Sequence, residues 1–212
     1  QDISGYLCRL GLLQLDKNCR GFSTKSDALD MRMDESATLD AAYVVNSYSQ
    51  ADLARIFREY GELTNANAIA AKIATARANA PLTSAKALAN LIGTKPVKGR
   101  SISTATLAFQ AIRIEVNEEL TILPDAVTAA VHTLKPGGRI AVITFHSLED
   151  RIVKRTMQQL ARGCICPPHT PVCICGHTPE LRLIGKAQTA SLAECAANAR
   201  AKSAKLRVAE KL

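Results

Sequence analysis

The sequence predicts an α/β protein, with an all-helical front half and a back half that forms part of a twisted sheet. Three observations predict this. Apolar residues recur at helical spacing from about residue 35 to residue 134, a nearly all-apolar run fills 139–145, and short strand-like segments stand at 181–184 and 204–209. The back half reads helix–strand–helix–loop–strand–strand, which is too few strands for a complete doubly wound domain. With 212 residues, 47% of them apolar, the chain can bury the core of one large domain or a domain and a half, and wholesale disorder is excluded. No apolar run approaches the roughly 18 residues of a spanning helix. No basic segment leads into an apolar one at the start, so neither a membrane span nor a secretory signal is expected, and the expected compartment is the cytoplasm. The chain begins at Gln1, not Met, as a fragment or processed product would.

The elements follow in order. Residues 1–20 are irregular, their apolar stretch broken by Gly5, Arg9 and Gly11. Ser49 and Asp52 make a capping box before Leu53, Ile56, Phe57 and Tyr60, and Gly61 stops that helix. An Ala-rich helix over 65–80 turns Ile69 and Ile73 inward and ends at Pro81. Thr83 is placed to cap a helix carrying Leu88, Leu91 and Ile92, closed by Gly93, and residues 94–103 form a basic loop. A longer helix spans 104–120, and Pro124 restarts another that reaches Leu134 before Lys135-Pro136-Gly137-Gly138. The run at 139–145 is expected to be a strand buried on both faces. Ser147 with Asp150 is read as a second capping box, opening a helix to about Leu160 with Ile152 and Val153 inward. Asp150 is expected to be a cap, not a base.

Charge is unevenly placed. Residues 151–212 hold eleven Lys/Arg and three Asp/Glu, which is the whole of the formal charge of +8, while residues 1–150 balance to zero. Such a segment is either a basic face for a polyanion or a solvated surface. Arg151, Lys154 and Arg155 stand at i, i+3 and i+4, on one face of their helix. His146 follows the strand at its carboxyl end, where ligands of open α/β sheets bind. With no Trp and 4% aromatic residues, a base-stacking platform is excluded.

Four cysteines form two Cys-x-Cys pairs, Cys164 and Cys166, then Cys173 and Cys175, in a Pro-rich loop. Four thiolates can gather on a tetrahedral zinc ion at Zn–S distances of roughly 2.3 Å, with His169 and His177 as substitute ligands. Free thiols and disulfides stay open as alternatives. Cys8, Cys19 and Cys195 are scattered, as packing residues are.

Several strings stand in a telling order. They are Arg20-Gly21-Phe22-Ser23, Leu29-Asp30-Met31-Arg32-Met33-Asp34, Phe109-Gln110-Ala111-Ile112-Arg113-Ile114 and Val116-Asn117-Glu118-Glu119-Leu120. Leu134-Lys135-Pro136-Gly137-Gly138-Arg139, the stretch from Phe145-His146-Ser147 to Lys154-Arg155, and the terminal Lys202-Ser203-Ala204-Lys205-Leu206-Arg207 follow. Together they resemble the bacterial and organellar methyltransferases that modify N4 of a decoding-site cytosine in small-subunit ribosomal RNA. The cysteine loop is similar to one found in a subset of that family.

The resemblance implies a partial class I (Rossmann-like) methyltransferase sheet with an inserted all-helical substrate-recognition domain. Residues 1–16 would be a remnant core strand, 17–113 the helical insert, and 114–212 the C-terminal part of the core, with the cysteine loop at 164–175. It implies S-adenosylmethionine as cofactor, with Gln14 the matching contact position, and zinc as a candidate metal. The partner would be small-subunit ribosomal RNA or a 30S-type particle, with Arg20, Arg32, His146, Arg151, Lys154 and Arg155 on the RNA side. No membrane is implied. A homodimer or a further N-terminal segment is expected to cover the sheet edge.

The sequence also departs from the family pattern. The Gly-rich turn of the cofactor site is not found, and Arg9 stands where the family places an acidic cofactor contact. Ser103-Thr104-Ala105-Thr106-Leu107 replaces the insert's His-Pro-Ala-Thr-Arg. These departures motivate the alternative of a non-catalytic RNA- or ribosome-binding relative that has lost cofactor binding.

Overall fold

The computed structural model describes residues 20–96, 102–164, 166, 167, 172 and 174–212. The chain is mixed α/β and divides into two compact units, Gln1–Glu118 and Glu119–Leu212. Gln14, Arg9 and residues 97–101 of the basic loop fall outside the described residues, as do Cys173 and His169.

The first unit is helical: α1 (Ala41–Ser47), α2 (Gln50–Glu59), α3 (Ala66–Asn79), α4 (Ala85–Ile92) and α5 (Thr104–Asn117). Ser49 caps α2 as its spacing predicts, accepting from the Asp52 amide at 3.1 Å. The cap of α4 is Ser84, one residue beyond the expected Thr83, and its hydroxyl accepts from the Ala87 amide. Leu53, Ile56 and Phe57 of α2, Ile69 and Ile73 of α3, Leu88 of α4 and Ile112 of α5 close one core. α5 is buried along much of its length and contains residues 113 and 114, where the sequence reading sets a domain boundary. It ends at Glu118, a non-glycine residue at φ 49°. Because that left-handed cap strains a Cβ-bearing residue, Glu118→Gly is expected to stabilise this unit by about 0.5–1 kcal/mol, read as a raised melting temperature.

The second unit begins with α6 (Leu123–His132), followed by β1 (Arg139–Thr144), α7 (Ser147–Leu160), β2 (Leu181–Thr189), α8 (Leu192–Ala197), a 3₁₀ turn (Ala199–Ser203) and β3 (Lys205–Lys211). The sheet order is β1-β3-β2, and both pairings are antiparallel. β2 and β3 start where expected to within a residue, but both run further; α8 and the 3₁₀ turn carry no signal that the sequence reading identifies. Val127 and Val131 of α6 and Val153 and Met157 of α7 pack with Ile140 and Val142 of β1, Leu181 and Ala209.

Two expectations are corrected here. β1 is not buried on both faces: Ile140 and Val142 face the helices, while Ala141 and Ile143 are exposed, Ile143 by 59%. A nearly all-apolar run carries no record of how many layers cover it, and among the described residues helices cover one face. The capping box of α7 also sits one residue earlier than Ser147/Asp150. His146 is the N-cap and Glu149 closes the box. Among the described residues no helix is long and apolar enough to cross a membrane.

Candidate functional site

His146 follows β1 at its carboxyl end, at the start of α7. Its Nδ1 accepts from the Glu149 amide at 3.4 Å, while its Nε2 lies 3.1 Å from Glu149 Oε1. That second approach lacks hydrogen-bond geometry, so Nε2 is buried with no hydrogen-bond partner. The other Glu149 oxygen accepts from the Phe145 and His146 amides at 2.8 and 3.2 Å. Burial by itself would raise the Glu149 carboxyl. The His146 imidazole and the two amides outweigh burial and hold it below the usual carboxylate range. Glu119 completes the group, with one ligand atom from each of Glu119, His146 and Glu149 lying within 4.8 Å of the others. The site is thus an imidazole flanked by two carboxylates, able to accept a proton or orient a donor. Glu149 was missed in the sequence because a histidine N-cap is not among the common capping residues.

Asp150 is not a cap. Its carboxylate takes two hydrogen bonds from Arg207 of β3, at 2.7 and 3.0 Å, and a third from Lys205 at 3.3 Å. It fastens α7 to the strand beside it.

The row Arg151, Lys154 and Arg155 is exposed along α7. Lys154 also lines a cleft of about 390 Å³ with Met157, Gln158, Lys186 and Arg207. β2 shapes this cleft: its register shifts between Ile184 and Gln188, and Gly185 takes φ +66° in that irregularity. Lys186 and Arg207 were not singled out in the sequence, since only the strand pairing brings them beside α7. Elsewhere the basic residues are partly paired internally: Arg182 and Arg139 bond Glu210, and Lys211 bonds Glu180.

Arg20 and Arg32 share one loop of the first unit. The Arg20 guanidinium pairs with Glu35 at 2.7 Å and lies 5.9 Å from the centre of the Phe22 ring, and its Nε is buried without a hydrogen-bond partner. Arg32 grips Asp30 with two hydrogen bonds, at 2.7 and 3.0 Å, and donates to the Glu35 and Ala37 carbonyls. Asp30 is held below the usual carboxylate range mainly by that Arg32 hydrogen bond. Both arginines therefore order their loop, and the guanidinium of Arg32 has little left to offer an RNA. Asp34 accepts from the Ser36 amide and hydroxyl, a turn within the same loop.

Of the four loop cysteines, Cys164, Cys166 and Cys175 converge, with their sulfurs within 4.8 Å of one another. Cys195 lies in α8, outside this cluster.

Sequence comparison then assigns the class. The model of the MraW methylase family matches residues 1–212, and the chain belongs to that family. It is 56% identical over 213 residues to the ribosomal RNA small subunit methyltransferase H of Campylobacter hominis, covering 99% of this chain and 69% of the relative. The proteins of the same name from Campylobacter curvus and Campylobacter concisus are 53% and 52% identical, over 99% and 98% of this chain and 70% and 69% of their own lengths.

Family membership implies S-adenosylmethionine, and two clefts among the described residues do not fit it. Of these two, one is walled by Lys154, Lys186 and Arg207, and the second, about 430 Å³ in the first unit, has Lys72 and Lys95. Neither is lined by a carboxylate for a ribose hydroxyl or by a Gly-rich turn after a strand.

Proposed function

We propose that the chain takes part in S-adenosylmethionine-dependent methylation of N4 of a decoding-site cytosine in small-subunit ribosomal RNA. The observation that carries this reading is the family match along all 212 residues, joined to relatives that bear the ribosomal RNA methyltransferase name. In this reading the three strands are the C-terminal part of a class I methyltransferase sheet and the helical unit is a substrate-recognition insert. The face of β1 left open among the described residues, with Ile143 exposed, supports a sheet that is covered by a further segment or a second copy.

The RNA side is the α7 row of Arg151, Lys154 and Arg155 together with Lys186 across the cleft. Cations on both walls suit a phosphate oxygen. His146, Glu119 and Glu149 supply the acceptors and the orienting imidazole for an exocyclic amine at the end of β1. The target base would have to leave its stack to reach them. Arg20 and Arg32 keep the loop at residues 20–37 in shape. The compartment in this reading is the cytoplasm.

Nucleoside mass spectrometry of small-subunit RNA incubated with the full gene product and S-adenosylmethionine tests the reaction. N4-methylcytidine supports it. RNA binding without either turnover or calorimetrically detectable cofactor binding assigns the protein to the non-catalytic alternative, which Arg9 at the acidic position favours. The RNA surface has its own test. Lys154→Ala and Lys186→Ala are each expected to reduce the slope of log affinity against log salt by about 0.7–0.9 for each phosphate that is no longer neutralised. Filter binding across a KCl series measures it, and an unchanged slope in both variants rejects this surface.

A further inference from the structure

We infer that Cys164, Cys166 and Cys175 are three ligands of a structural zinc ion. This inference does not depend on the methyltransferase reading.

The sulfur geometry is the first support. A tetrahedral zinc ion with Zn–S bonds of about 2.3 Å sets its sulfurs about 3.8 Å apart, since each edge of a tetrahedron is about 1.6 times its centre-to-corner length. The Cys175 and Cys164 sulfurs stand 3.9 Å apart, and all three lie within 4.8 Å of one another. A disulfide needs about 2.05 Å. The observed spacing therefore fits thiolates arranged around one ion better than a covalent bond between two of them.

The loop itself is the second support. The Leu160 carbonyl at the end of α7 accepts from the Glu180 amide at 2.8 Å, just before β2, so the 161–180 connection leaves and returns at one place. Structureless connections longer than about 12–15 residues are uncommon in compact domains. Among the described residues of this one, Val172 is 71% exposed and Ile174 84%. A segment with so little apolar burial needs another source of order, and metal ligation supplies it because the free energy of binding becomes free energy of ordering. The prolines at 167, 168 and 171 lower the entropy lost when the ligands gather. An all-thiolate set selects a soft or borderline ion over calcium or magnesium.

The 212-residue chain, purified anaerobically, should carry about one zinc per molecule by elemental analysis. Replacement by cobalt should give the thiolate charge-transfer and visible bands of a tetrahedral sulfur site. Cys164→Ser and Cys175→Ser should each bring metal content to background, while Cys195→Ser should retain it. Far-UV circular dichroism identifies any variant that has failed to fold, and the cobalt spectrum of the unaltered chain stands without the variants. The inference is overturned by a metal-free, folded chain whose loop thiols all react with a thiol reagent. An intact mass showing a disulfide between Cys164 and Cys175, or zinc persisting in the Cys164→Ser/Cys166→Ser double variant, overturns it equally.

Discussion

Gly21→Ala is expected to destabilise the helical unit by about 3 kcal/mol or more. Gly21 sits at φ +90°, and a Cβ there would meet the Ala28 carbonyl oxygen at 2.8 Å, the Asp30 nitrogen at 2.9 Å and the Leu29 Cα at 3.0 Å. All three atoms are backbone, so no rotamer change relieves the clash. The segment they belong to is tightly tied. The Arg20 carbonyl accepts from the Asp30 and Met31 amides, and the Asp30 carbonyl accepts from the Ala41 amide at the start of α1. Leu29 and Met31 are buried in the core, and Asn117 at the end of α5 bonds the Met31 carbonyl and the Met33 amide. Moving residues 28–30 to admit a methyl group would therefore disturb α1 and α5 together. Urea denaturation should show a lowered midpoint at an unchanged slope. A loss below about 1 kcal/mol would mean that the turn is softer than its close backbone packing requires.

How far the sequence reports this architecture depends on whether a feature is local. Helices α2 to α6 and all three strands are visible as periodicity and stop signals, because a capping serine such as Ser49 or a breaker such as Pro81 acts within a few residues. The cap of α4 is missed by one residue, Ser84 in place of Thr83, while β2 runs to Thr189, beyond its expected end at 184. The layer count over β1 was not legible, since Ile143 reads the same whether a second layer covers it or not. The site divides the same way. The α7 row is written in i, i+3, i+4 spacing, whereas Lys186 and Arg207 join it through strand pairing with residues far along the chain. Arg32 was a candidate for RNA through the family resemblance of its string Leu29–Asp34. Its own loop folds back to engage it through Asp30 and two carbonyls, which no spacing rule reveals. Asp150 misled by proximity: a carboxylate in the first turn of a helix is ordinarily a cap, and here its partners come from β3.

Asp150→Ala is expected to cost the second unit about 2–4 kcal/mol at neutral pH, because it leaves the mostly buried Arg207 guanidinium without its counter-charge. The Asp150 side chain is 11% exposed and that of Arg207 19%, so water replaces little of what is removed. Lys205 is 44% exposed, and Lys205→Ala should cost no more than about 1 kcal/mol. The acid dependence separates this pair from simple packing. The Arg207 hydrogen bonds, joined by Lys205, hold the Asp150 carboxyl below the ordinary aspartate value despite burial. A carboxyl lowered on folding contributes stability that is fully present above its unfolded pKa of about 3.9 and is lost as pH falls through the lower, folded value. The gap between the parent chain and Asp150→Ala should therefore hold from pH 7 to about pH 5 and narrow below about pH 4. Glu149, also lowered, is present in both proteins and cancels in the difference. Urea midpoints of the two proteins along a pH series measure the gap. A gap that stayed constant into acid would assign the cost to side-chain packing, not to the ion pair.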